Sequence, residues 1–192
     1  MILTRIMRKI HEIGIPTHYI KKLNMREQLV KKVEIIPVEF VVRNIAAGSI
    51  VKRLGLKEGE VFLNPLIEYY LKRDDLGDPL VNEDHIVNFN WGTREELEEM
   101  QEYGLRINDF LRGLFLGIGI KLVDFKIEFG RYFSEEDGTE LLLADEISPD
   151  NCRLWDIKTN NKFDKDLFRQ DIGGLKEAYQ EVAERLKILP EK

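Results

Sequence analysis

The residues best suited to chemistry lie between Leu122 and Asp156, in LVDFKIEFG, a polar connector, and LLLADEISPDNCRLWD. Alternation in LVDFKIEF sends Val123, Phe125, Ile127 and Phe129 to one face of a strand, and Asp124, Lys126 and Glu128 to the other. Residues on one face are spaced roughly 6–7 Å apart, so two carboxylates and an ammonium share one ridge. The connector RYFSEEDGTE contains Asp137-Gly138, a turn signal. It predicts a second strand, Glu140 to Asp145, that folds back antiparallel and brings Asp145 to the same ridge. Acids and basic groups in such a row suit a cation with oxygen ligands and the handling of phosphate or carboxylate charge. A hairpin with a charged, solvated outer face has the same pattern.

Two further motifs carry polar groups. RNIAAGS (Arg43–Ser49) leaves a strand at an arginine, narrows to Ala-Ala-Gly and reaches Ser49, an N-cap for the helical turn IVKRLG. Small residues let a ligand approach the backbone, helix N-terminal amides attract anions, and Arg43 offers a planar fork to phosphate or carboxylate. A structural strand-to-helix turn reads the same way. KRDDLGDP, closed by Asp78-Pro79, is an acidic loop whose spacing does not match a calcium-binding loop.

The elements that position these groups follow from periodicity. Residues 2–13 form an amphipathic helix stopped by Gly14, with His11 on its surface. Thr17–Lys22 is a short strand, and one or two more lie in EQLVKKVEIIPVEFVVRNIAAG, with Pro37 marking an edge or bend. In VEFVVR, Val38, Phe40 and Val42 share a face, and Glu39, Val41 and Arg43 the other. Leu66–Leu71 is a strand. Thr93 and Glu96 make a capping box for a long core helix whose stripe is Leu97, Met100, Gly104, Ile107, Leu111, Leu114 and Ile118. KFDKDLFRQDIG reads as helix or turn, and Leu175, Tyr179, Val182 and Leu186 mark a closing helix.

At 192 residues, 43% hydrophobic and 33% charged, the chain has the size and balance of a single globular domain or one split into two lobes. The net charge of −6 argues against a general nucleic-acid or anionic-membrane binder. No apolar run approaches membrane-spanning length. A lone cysteine, Cys152, excludes an intramolecular disulfide, fits a reducing cytoplasm and reads as structural.

RNIAAGSIVKRLG, IEYYLKRDDLGDPLVNEDHI, LVDFKIEFG, ADEISPDNCRLWD and DKDLFRQDIGG, in that order, resemble the signature blocks of the SAICAR synthetase family over essentially the whole chain. The resemblance implies an α+β, ATP-grasp-like fold of two lobes with the active site between them. It divides the chain into residues 1–70, belonging to the nucleotide-binding lobe, and 71–192, the substrate and metal lobe with its hairpin at 122–146. The implied activity is an ATP- and Mg2+-dependent ligation of CAIR (carboxyaminoimidazole ribotide) to L-aspartate in purine biosynthesis. The substrates are small molecules, and a homo-oligomer is left open. By the same resemblance Glu128 and Asp145 hold magnesium on the nucleotide phosphates, and Asp78 and Asp124 lie beside the metal-bound substrate carboxylate. Arg43, Ser49 and Arg153 anchor the ribotide, Lys126 and Asp150 line its pocket with Asp124 and Lys126 closest to the chemistry, and Lys31 and Lys32 pass the adenine.

One departure accompanies the likeness. Family members begin with strands carrying a YEGKAK-like glycine-lysine loop over the ATP phosphates, whereas this sequence opens at the first helix. The expectation is a shortened nucleotide lobe with a sheet edge left exposed or covered by another subunit, ribotide binding retained, and slow turnover. A non-catalytic relative that binds a ribotide or nucleotide, or serves as an assembly partner, is the alternative.

Overall fold

A single antiparallel sheet organises the molecule, and one long strand forms its axis. The structure is a computed structural model that describes residues 2–24, 27–135, 138–163 and 175–187. Its strands are β1 (Tyr19–Lys22), β2 (Gln28–Val30), β3 (Glu34–Ile35), β4 (Val38–Ile45), β5 (Val61–Leu71), β6 (Leu80–Val81), β7 (Ile120–Ser134), β8 (Gly138–Ala144) and β9 (Cys152–Asp156). The helices are α1 (Ile2–Glu12), α2 (Ser49–Leu54), α3 (Glu83–Asn88), α4 (Arg94–Leu116) and α5 (Leu175–Arg185). The first half of β7 pairs with β4 on one edge and β9 on the other, and its second half pairs with β3 and β8. Beyond β4 come β5 and then β6, while β1 and β2 form a separate hairpin. The α+β class expected from the sequence is the class found.

Packing on one sheet face explains most of the element choices. Val38, Phe40 and Val42 of β4 and Phe125, Ile127 and Phe129 of β7 are buried against Leu97, Met100, Ile107 and Leu111 of α4. Gly104 brings α4 close to the sheet at Phe40, whose ring meets Phe129 and Tyr69 edge-on at 5.7 and 5.5 Å. Thr93 and Glu96 form the reciprocal capping box, and α4 stops at Gly117. Asn108 and Phe115 are also buried on α4. Val182 of α5 and Leu186, just past its end, close the core.

Several boundaries differ from the sequence reading. Residues 27–48 hold three strands rather than one or two, because Pro37 splits β3 from β4. β5 begins at Val61 and runs through Pro65. Ser49 is the first residue of α2 rather than its cap; the cap is Gly48, at φ 67°. The second hairpin strand ends at Ala144, one residue before Asp145. Asp137 of the turn signal, and residues 164–173 of the segment read as helix or turn, lie outside the described residues.

The correction that matters most concerns Val123. Ile120 and Leu122 lie in the main core, as do Phe125, Ile127 and Phe129, so the inward parity changes from even to odd within β7. The pairing of β7 with β9 slips between Leu122 and Asp124, the mark of a bulge. Val123 therefore leaves the face predicted for it and packs in a second cluster with Ile45, Ala47 and Trp155.

Candidate active-site cleft

Strand register builds the site as a row of charges across three strands. Asp124 of β7 faces Arg43 of β4 on one edge and Arg153 of β9 on the other. Directly opposed residues of a sheet share a face, and here both guanidinium groups donate to the same oxygen. Arg43 Nη1 lies 2.7 Å and Arg153 Nη1 2.8 Å from Asp124 Oδ2. Burial works against the charge on Arg43, but Asp124 and Glu68 outweigh it and hold the guanidinium charged beyond the ordinary arginine range. The three side chains line a cleft of ≈ 240 Å³, together with Ser49, Tyr70 and Lys126.

Lys126 continues the ridge two residues on. Its ammonium lies 2.6 Å from Glu39 and 3.8 Å from Glu128. Burial pulls its pKa down, yet the hydrogen bond it donates to Glu39 and the fields of Glu39, Asp145 and Glu128 raise it overall. Glu128 also accepts from Lys72. These acids thus meet cations of the protein itself.

Asp145 reaches this group by a backbone device. Glu128 is opposite Ala144 in the β7–β8 register, and Leu141 and Leu143 lie in the core. Straight continuation of β8 would turn residue 145 to the core as well. Instead Asp145 adopts a left-handed conformation, φ 62°, and its carboxylate acts on Lys126. Strained non-glycine residues of this kind concentrate at functional sites.

The other residues singled out in the sequence sit around this centre. Ser49 Oγ accepts from Arg43 Nη2 at 3.3 Å. Gly48 at positive φ packs under Arg153, where a Cβ would come within 2.4 Å of Nη2. Asp150 is exposed and accepts from the Tyr179 hydroxyl at 2.6 Å. Asp78, at φ 46°, accepts from the Arg73 amide at 3.0 Å and is not among the side chains lining the cleft. Lys31 lies 3.6 Å from Glu140 and over the Tyr132 ring, and Lys32 is exposed. Cys152 is buried.

Sequence reading missed four participants: Glu39, Glu68, Tyr70 and Arg53. Glu68 bonds Arg43 Nε at 2.7 Å, accepts from Tyr70 at 2.8 Å and also accepts from Arg53. Alternation puts Glu68 and Tyr70 on one face of β5, but only the pairing with β4, which sets Glu68 opposite Val41 and Tyr70 opposite Glu39, makes it the face of Arg43.

Magnesium is a hard cation that uses one or two carboxylates, keeps waters and takes further oxygens from phosphates. Glu128 and Asp145 fit that donor set, and the ammonium groups gathered on them mark a place where positive charge is favoured. Among the described residues no three His, Cys, Asp or Glu side chains gather as a protein-only metal cage. Asp124 differs from those two acids because its Oδ2 is held by two guanidinium groups.

A curled antiparallel sheet flanked by helices thus carries a cleft of ≈ 240 Å³ lined by arginine, aspartate and lysine, an arrangement of the class suited to anionic small molecules. Among the described residues no helix is long and apolar enough to cross a membrane. A family model described as SAICAR synthetase matches residues 1–186. The phosphoribosylaminoimidazole-succinocarboxamide synthase of Rhodospirillum centenum is 60% identical over 186 residues, covering 97% of this chain and 73% of that protein. The crystal structure of the synthase of that name from Ehrlichia chaffeensis matches with a TM-score of 0.94 at 51% identity, covering 99% of this chain and 80% of that one. A SAICAR synthetase in complex with ADP matches with a TM-score of 0.91 at 41% identity, covering 98% and 79%. The chain belongs to the SAICAR synthetase family.

Proposed function

We propose that this chain is an ATP-dependent ligase joining CAIR to L-aspartate, giving SAICAR, ADP and phosphate, in a cytoplasmic setting. A carboxylate is a poor electrophile because its oxygen is a poor leaving group. Transfer of the ATP γ-phosphoryl group to the CAIR carboxylate makes a mixed anhydride, and attack by the aspartate amine forms the amide and releases phosphate. Such a route needs groups that hold anions together and oppose their repulsion.

The observation that carries the reading is the Arg43–Asp124–Arg153 row beside Lys126 in one cleft. Arg43, Ser49 and Arg153 anchor the anionic ribotide, and Asp124 holds the two guanidinium groups together and partly neutralised before it arrives. Lys126, held charged by its acidic neighbours, opposes charge on the reacting carboxyl group. Asp150 and Asp78 border the ribotide and aspartate side, and Lys31 and Lys32 belong to the segment beside the nucleotide. Glu128 and Asp145 would hold Mg2+, which neutralises phosphate charge when bound. The ADP complex of a relative and the matched fold support the nucleotide part of this reading.

ADP release coupled to an NADH readout, with ATP, Mg2+, aspartate and CAIR all present, tests the proposal. Release should require both CAIR and aspartate. ADP release that proceeds equally without CAIR would exclude it.

A further inference from the structure

Arg43 has five N–H donors, and its partners separate by distance. Nε donates to Glu68 Oε2 and Nη1 to Asp124 Oδ2, each at 2.7 Å. Among the described residues Nη2 donates only to hydroxyls, Ser49 Oγ and Tyr70 Oη, both at 3.3 Å. Charge-assisted bonds at 2.7 Å are strong, whereas neutral contacts at 3.3 Å are long and readily exchanged. The two carboxylates therefore fix the plane of the guanidinium. Nη2 is left as the edge with replaceable partners, and both of those partners, Ser49 and Tyr70, line the cleft with Arg43.

Glu68 is built for that holding task. It is 11% exposed, is not among the cleft-lining side chains, and is itself fixed from two further directions. Tyr70 donates to Oε2 at 2.8 Å, and Arg53 of α2 donates to Oε1 and, at 2.8 Å, to the Tyr70 hydroxyl. Glu68 and Asp124 together offset the charges of Arg43 and Arg53, which lowers the penalty of burying Arg43.

Resting on the reading of Arg43 as a ribotide anchor, we propose that Glu68, together with Tyr70, is a positioning residue for recognition of the ribotide phosphate. It does not touch the substrate. It holds Arg43 so that the Nη2 edge and the Ser49 hydroxyl face one phosphate oxygen each, in exchange for the two long hydroxyl contacts. Free rotation of Arg43 would lose that paired geometry while keeping the charge.

Calorimetric titration of the full chain with CAIR, with its dephosphorylated riboside, and with ADP tests this. Glu68→Gln keeps shape but removes the charge that fixes Nε. CAIR affinity should fall roughly tenfold or more, the size seen when a partner orienting a ligand-holding side chain is removed. Riboside and ADP affinities should stay within about twofold, and Glu68→Asp should recover part of the loss. Tyr70→Phe leaves no buried charge unpaired and serves if Glu68→Gln does not fold; it should weaken CAIR several-fold with the riboside unaffected. Unchanged CAIR affinity in these variants, or equal loss for CAIR and the riboside, would overturn the positioning role. An unaltered chain that binds ADP but not CAIR would instead overturn the reading of the site as a ribotide anchor, and this inference with it.

Discussion

Arg43 and Asp124, 81 residues apart in the chain, sit directly opposite each other on β4 and β7 and form a 2.7 Å ion pair in which each side chain is 5% exposed. Breaking a buried pair by removing one member leaves the other charge uncompensated, at a cost of about 3–5 kcal/mol. Arg153 shares the same carboxylate oxygen from the opposite edge of β7. The acid is thus the centre of the charged row, and its position one residue past a bulge sets it opposite both arginines.

Arg153→Lys should weaken CAIR binding about tenfold while sparing ADP. A lysine supplies a point charge, which serves Asp124 or the ligand but lacks the planar fork needed for both. Calorimetry with each ligand checks this; CAIR affinity equal to that of the unaltered chain would remove Arg153 from the anchor.

Glu128→Gln and Asp145→Asn should each raise the Mg2+ concentration needed for half-maximal ADP release, with CAIR affinity measured without metal left unchanged. Each variant loses one hard oxygen charge from the pair that fits magnesium. A metal requirement identical to that of the unaltered chain would reassign both acids to holding Lys72 and Lys126.

Gly104→Ala should destabilise the fold without altering substrate affinity. The added Cβ would lie 2.2 Å from Phe40 Cε1 and 2.6 Å from Cζ, inside the packed core. Overpacking of this kind costs about 1–3 kcal/mol, and in a chain of this size each kcal/mol lowers Tm by roughly 2–4 °C. A thermal scan showing no change would mean that α4 lies further from β4 than described.

Asp156→Asn should lower stability most at neutral pH and least in acid. Hydrogen bonds from the Thr159 and Lys158 amides, with Arg185 donating from α5, hold the Asp156 pKa down at about 2. A carboxyl depressed on folding adds stability that is full above its unfolded value, near 3.9, and is lost as the pH falls through about 2. The difference in Tm between the two proteins should therefore be constant from pH 8 to 5 and shrink from pH 4 to 2. A difference independent of pH would show that the turn is held by other bonds.

Short-range features were readable from the sequence because they depend on neighbours along the chain. The alternation of Asp124, Lys126 and Glu128, the Thr93–Glu96 cap and the buried stripe of α4 all follow from local spacing, and each recurs in the fold. The order of the motif blocks carried the family, which the matches to whole relatives bear out. Tertiary structure alone decided three matters. A bulge between Leu122 and Asp124 reverses the facing of Val123 and aligns Asp124 with Arg153, because cross-strand hydrogen bonds override simple alternation. A left-handed residue at Asp145 keeps that acid out of the core, a conformation that an aspartate tolerates but does not announce. Glu68, Tyr70 and Glu39 join the site only through the pairing of β5 with β4 and β4 with β7, contacts between segments far apart in the chain that no local pattern specifies.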